Sequence, residues 1–120
     1  MYSKVKYDYD GKADSLFIYS VEDYNYDVSL DLSDNIVLDF DKTQKVVAFE
    51  FLDASNLFNI SKKDFKHIHS INIQLKITRD KIELNIVVEV VVHNKTHQFG
   101  INRIMSNISN IPEYCSRLAC

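Results

Sequence analysis

Glycine and proline are nearly missing: the 120-residue chain carries 2 Gly and 1 Pro. A glycine-rich phosphate loop, a dinucleotide fingerprint and a nucleophile elbow each need glycines at fixed offsets, where the backbone approaches a ligand or turns sharply. Those sites are excluded, and the turns must rely on Asn, Asp and Lys. Cysteine is equally sparse. Cys115 and Cys120 sit near the end of the chain, which is no secreted disulfide framework, and two thiolates do not complete a zinc site. Reduced thiols on a frayed tail are expected there. Positive charge is also lacking: a formal net charge of -3 supplies no field for a phosphate backbone, so nucleic acid is not an expected partner. No apolar run approaches the roughly 20 residues of a membrane helix, and the opening MYSKVKYDYD is acidic and alternating where a signal peptide is basic and then apolar. The expectation is a cytoplasmic protein that meets no membrane.

What the sequence does have is period-two patterning, with 46% hydrophobic residues, enough for a single domain over residues 1–120 with one core. The clearest stretch is INIQLKITRDKIELNIVV. With Arg79-Asp80 as a two-residue turn, Ile77 faces Ile82, Leu75 faces Leu84 and Ile73 faces Ile86, while Lys76 faces Glu83 and Gln74 faces Asn85. A one-residue slip would oppose apolar to polar throughout, so this register is strongly specified. A second turn at Asn94-Lys95 would align Val90 with Phe99 and Val88 with Ile101, giving a three-stranded meander over 71–104. Its middle strand is apolar on both sides, because Val87 and Val91 lie opposite Val88, Val90 and Val92. Val87 and Val91 are therefore the expected interaction residues. A second copy of the chain is the expected cover, making a homodimer, with another protein partner as the wider class; the tail 105–120, through Ile108, Ile111 and Tyr114, is the competing one.

Residues 1–58 read as two more hairpins. SKVKYDY and DSLFIYSV flank DGKA, while DNIVLDFD and KVVAFEFL flank KTQ, so that Ile36, Leu38 and Phe40 oppose Phe51, Phe49 and Val47. VSLDLS adds a short edge strand. Strand alternation stops at Leu52, and Asp53 or Ser55 is expected to cap a single turn that holds Leu57 and Phe58 inward. In segment 59–70, Ser61 with Asp64 marks the start of a short helix burying Phe65 and Ile68. The fold class is α+β and mostly antiparallel β: about seven strands, in hairpins and a C-terminal meander, with one or two short helices between the halves.

The chemistry-bearing residues are few. Asp39, Asp41 and Glu50 are expected on one outer hairpin face, where three carboxylates suit a hard cation. The favoured reading leaves no metal or cofactor: Asp8, Asp14, Asp41 and Asp53 cap turns and helix starts, and Asp39 and Glu50 point to solvent. His67 and His69 straddle a helix end, where imidazolium suits the negative dipole, and His93 and His97 are not directly opposed across their turn. Lys62, Lys63, Lys66 and His67 form the solvated face of the short helix. No catalytic residue is assigned. The function expected is a non-catalytic protein-interaction module; the alternatives are an antitoxin-like partner of a small toxin and a metal-dependent or carboxylate-based enzyme.

YDYDGKADSLFI, followed by NIVLDFDKTQKVVAFEFLDAS, resembles a small uncharacterised family, domain of unknown function 2283. Its members read roughly Tyr-Asp, Ala-Asp-x-Leu-Tyr-Ile, an apolar-Asp-Tyr-Asp strand, a turn, and Gly-Ile-Glu-Ile-Leu-Asp-Ala-Ser. Tyr7, Asp8, Ala13, Asp14, Leu16, Ile18, Asp39, Asp41, Glu50, Leu52, Asp53, Ala54 and Ser55 match that pattern, over residues 4 to 58. Gln44 stands near the position of a common turn glycine and Ala48 in place of another; the first either asks a non-glycine residue to hold a left-handed backbone or lengthens the loop. The meander resembles an extension in longer, mainly archaeal members. The resemblance implies a small β-rich fold with no established activity, and an antitoxin role for some short members.

Overall fold

The computed structural model describes residues 2–120, with the side chain of Tyr2 set aside. Among these residues nine strands form one sheet in the order β3-β4-β5-β2-β1-β9-β6-β7-β8. The strands are β1 (Tyr2–Asp10), β2 (Ser15–Ser20), β3 (Tyr26–Ser33), β4 (Ile36–Asp41), β5 (Val46–Phe51), β6 (Ile68–Ile77), β7 (Lys81–Val92), β8 (Lys95–Ser106) and β9 (Tyr114–Ala119). Two short helices, α1 (Ala54–Phe58) and α2 (Lys62–Phe65), lie between β5 and β6. All pairings are antiparallel except β1 with β9.

The fold is β-rich with two short helices, and its nine strands exceed the about seven expected. The edge strand expected over VSLDLS is β3, a full strand of 8 residues instead of a short one. The strand not foreseen is β9. Residues 114–119, read as frayed tail, insert at the centre of the sheet between β1 and β6, with Leu118 opposite Ile73 and Ser3. Inward Leu118 and Ser116 are buried while Cys115 and Arg117 are exposed, so this segment has strand alternation too, with only two apolar members to signal it.

One face of the sheet carries Leu16, Ile18, Ile36, Leu38, Phe49 and Phe51 from the first half, and Ile71, Ile73, Leu75, Ile82, Leu84, Ile86 and Val88 from the second. All belong to one buried cluster. A flat sheet covered by helices of 5 and 4 residues cannot bury such a face, so the sheet curls on itself and the halves meet as two layers. The helices plug the seam. Phe51, Phe58 and Phe65 meet edge to face, Phe65 stacks on Tyr9 with centroids 4.7 Å apart, and α2 and α1 pack against β7 and β8.

The β6–β7 registers are those the pattern specifies, from Ile77 with Ile82 to Ile73 with Ile86. Two other registers differ. The β7–β8 turn is His93-Asn94, not Asn94-Lys95, and pairs Val90 with His97 and Val88 with Phe99. Both turn residues have positive φ, 53° and 61°, the conformation of a type I′ hairpin, which supplies the twist that adjoining strands need. A shift of two residues keeps every side chain on its face, so alternation could not detect it. In β4–β5 a bulge after Asp39 pairs Phe40 with Val46 where Val47 was expected.

Candidate functional site

The family-like motifs converge on Asp14. This residue closes the β1–β2 turn in a left-handed conformation, φ 52°, and is buried at 7% exposure. Its Oδ1 accepts from the Tyr9 hydroxyl at 2.6 Å and from Ser55 N at 3.1 Å; its Oδ2 accepts from Ser55 Oγ at 2.6 Å. Ala54 N donates to its backbone oxygen at 2.9 Å. Burial by itself would raise the Asp14 carboxyl pKa, but the hydrogen bonds from Ser55 and Tyr9 outweigh it and hold the pKa below its ordinary value. Tyr9 moves the other way, pushed up by burial and by its bond to Asp14. This is a structural clamp joining the β1–β2 turn to the start of α1. The carboxylate beside the Ser55 hydroxyl is a weak base, because the hydrogen bonds it accepts hold its pKa below the ordinary value, and this disfavours activation of that hydroxyl as a nucleophile.

The other capping residues are redistributed. Ser61 Oγ accepts from Asp64 N at 3.1 Å at the start of α2. Asp53 precedes α1 with φ 53° and makes no side-chain cap bond, its Oδ1 accepting from Asn56 Nδ2 instead. Ser55 donates to Asp14 and does not cap as an acceptor. Asp8 sits within β1 opposite Phe17, and Asp10 holds the turn, accepting from Lys12 N and Ala13 N. Two positions later in an alternating strand is the same face, so the sequence did not separate Asp8 from Asp10.

The outer carboxylates are drawn apart. Asp41 Oδ1 folds into its own turn and accepts from Thr43 N, Thr43 Oγ1 and Lys45 N. Asp39 accepts from Ser29 Oγ at 2.6 Å, and Glu50 from Ser15 Oγ at 3.3 Å. Among the described residues no three His, Cys, Asp or Glu side chains group as a metal site. Cys115 and Cys120 are free and exposed.

A cavity of about 520 Å³ is lined by the β2–β3 loop, the β4–β5 turn and the start of β9. Tyr114 is among its lining residues, its hydroxyl accepting from Val46 N at 2.7 Å, and burial raises its phenol pKa. Four carboxylates line the cavity, Glu22, Asp23, Asp41 and Glu113, against one amine, Lys45. Such a lining repels phosphate.

On the meander Val87 and Val91 are half-buried on the outer face. Val87 lies between Asn72 and Gly100, and Val91 beside Thr96. Glu89 stands between the two valines, accepts from Gln98 Nε2 at 3.1 Å and lies 3.7 Å from His69 Nε2. The apolar face is thus two islands with a polar bridge, and at the outer edge Ile104 is 61% exposed.

A family described as Protein of unknown function (DUF2283) matches residues 6–55, the segment that holds both ends of the Asp14 clamp. A protein of Methanosarcina mazei named "Putative hypoxanthine phosphoribosyltransferase" is 36% identical over 107 residues, covering 89% of this chain and 85% of that protein. The chain belongs to this family of unknown function. An uncharacterized protein of Methanocaldococcus jannaschii is 45% identical over 84 residues, 69% of this chain and 71% of its own length. No solved structure matches the chain at a significant level. Among the described residues no helix is long and apolar enough to cross a membrane.

Proposed function

We propose that this family member is a non-catalytic protein-interaction module that self-associates through its meander, β6 to β8. The observation that carries the reading is the outer face of β7, where Val87 and Val91 are only half-buried within a rim of Asn72, Asn85, Glu89 and Thr96. Apolar centres with polar rims suit protein partners. The site residues of this reading are Val87 and Val91. Light scattering on the purified chain tests it: a mass of twice 14.0 kDa at tens of micromolar is expected, and a single-chain mass would refute self-association.

The relative's name raises an enzymatic reading, transfer of a phosphoribosyl group. Such a reaction must hold phosphate groups, usually by converging backbone N–H donors at a glycine loop or helix start. Here both glycines, Gly11 and Gly100, have ordinary negative or extended φ, the helices have 5 and 4 residues, and the cavity is acidic. These features favour the interaction module. Turnover of hypoxanthine with a phosphoribosyl donor, lost on Asp14→Asn, is the result that would reverse the ranking.

A further inference from the structure

The two ends of the sheet are protected differently. At one end β3 pairs with β4 through two register shifts, at Tyr26/Val28 and Asp31/Ser33, and exposes Asp27 and Asp31. Bulges and charges of this kind blunt an edge against further pairing. At the other end β8 runs twelve residues in an unbroken ladder with β7, from Lys95 to Ser106. Of these residues only Ile101 is buried.

The direction of the free backbone groups follows from the hairpin. A two-residue turn is closed by a hydrogen-bonded pair, here Val92 with Lys95, so the odd-numbered residues of β8 bond to β7. The even-numbered residues, Thr96 through Ser106, direct their N–H and C=O groups away from the sheet. Six consecutive ladder positions face outward with no proline to interrupt them; at one of them the Asn102 oxygen accepts from Arg103 Nη1 at 3.0 Å, an exposed side-chain bond that a pairing strand would displace.

We propose that this edge pairs antiparallel with the β8 edge of a second copy, about a two-fold axis at Ile101, making one continuous sheet. The proposal rests on the self-association reading above and moves its centre from the outer face to the edge. A second copy is favoured because the edge needs a long, regular partner strand, and β8 is the long strand of this chain that ends the sheet without bulges. Charge and parity favour this axis. At Ile101 it sets Arg103 across from the Phe99 ring of the second copy, an attractive cation and aromatic pair, and Gly100 opposite Asn102. An axis at Gly100 would set His97 against Arg103, and a half-step in either direction would put bonded backbone groups where free ones are needed. Across the Ile101 axis Gln98 lies opposite Ile104, which covers the apolar side chain that the isolated chain leaves most exposed on this strand.

Asn102→Pro removes one free-edge N–H without touching the β7 ladder, and proline is tolerated at sheet edges. Light scattering should give twice the chain mass for the wild type, and one chain mass for Asn102→Pro with an unchanged β-type circular dichroism. Hydrogen exchange on the wild type supplies a readout independent of any variant: the amides of Gln98, Gly100, Asn102 and Ile104 should be protected at high concentration and lose that protection on dilution. A wild-type monomer overturns both this proposal and self-association. A dimer that survives Asn102→Pro, or whose even-numbered β8 amides exchange freely, overturns the edge alone and leaves self-association standing.

Discussion

The two halves of the sheet are held by different means. In β6 and β7 the ladder is unbroken over nine aligned pairs apart from one irregularity near Ser70, and its inward positions are Ile, Leu and Val in strict alternation. Stability there is spread over many equivalent aliphatic contacts. In β1 to β5 the ladder has bulges, the inward positions include Phe40, Phe49 and Phe51, and separated segments are joined by particular side chains: Asp14 to Ser55, Asp41 to its own turn, Tyr114 to Val46. The first arrangement tolerates loss of any one member. The second concentrates the consequence in a few.

The largest expected effect is at the aromatic seam. Phe51 is fully buried and touches Phe49 within its own strand and Phe58 on α1. Phe51→Ala removes the packing that fixes the helices over the sheet, and about 4 kcal/mol of stability should go with it. Urea denaturation measures this. A loss below about 1 kcal/mol would mean that the seam repacks and the contrast between the halves is weaker than drawn.

Asp14→Ala comes next, because it strips one acceptor from three donors at once, and about 2 kcal/mol is expected for leaving a part-buried phenol, hydroxyl and amide without it. The effect should be local. Amide exchange should quicken in the β1–β2 turn and in α1 while β6 and β7 amides keep their protection, and equal loss in both halves would abolish the distinction. The pH dependence has a definite sign. The folded-state pKa of Asp14 lies below its unfolded value, as does that of Asp41 through its bonds to Thr43 and Lys45, against an opposing effect of burial. The unfolded chain binds these protons first as pH falls, so their contribution is complete above the ordinary carboxylate range and is lost as pH drops through the depressed folded values. Asp14→Ala should flatten that acid limb.

The same contrast explains what could be read from the sequence. The β6–β7 register was legible because every facing pair matches in kind, so one strand carries the information about its neighbour. The Asp14 clamp was not. Asp14, Asp53 and Ser55 were each recognised as turn residues, but nothing in the local pattern says that a carboxylate at 14 bonds a hydroxyl forty-one positions away. The strand β9 was missed for a related reason: its partners, β1 and β6, lie far off in the chain, and Tyr114, Ser116 and Leu118 give a weak apolar signal. The β7–β8 register failed by two residues because turn chemistry, not alternation, decides it, and His93 with positive φ is an uncommon choice.

Asp41 provides a smaller test of the same idea within one turn. Its Oδ1 collects Thr43 N at 2.8 Å, Thr43 Oγ1 at 2.6 Å and Lys45 N at 3.1 Å, all near the surface, where water replaces a lost bond more readily than in the core. Asp41→Ala should therefore cost about 1 kcal/mol, clearly less than Asp14→Ala. Equal costs would show that burial of the clamp matters less than the number of donors it gathers.

The smallest effect should have the opposite sign. Gln44, in the turn that Asp41 organises, holds φ 66°, the left-handed conformation, one of the two outcomes open to it where family members commonly have glycine. A non-glycine residue is held there at a cost of roughly 1–2 kcal/mol. Gln44→Gly removes that cost but gives the unfolded chain more freedom, which takes back roughly 0.5–1 kcal/mol. The difference should be a stabilisation of about 0.5 kcal/mol, and it should appear as a higher denaturation midpoint with an unchanged slope. The turn is exposed and its neighbours are already fixed by Asp41, so no repacking competes with the backbone term. A lower midpoint would mean that the Gln44 side chain contributes contacts outweighing its strain, and the rule that particular side chains secure the N-terminal half would then extend to this residue as well.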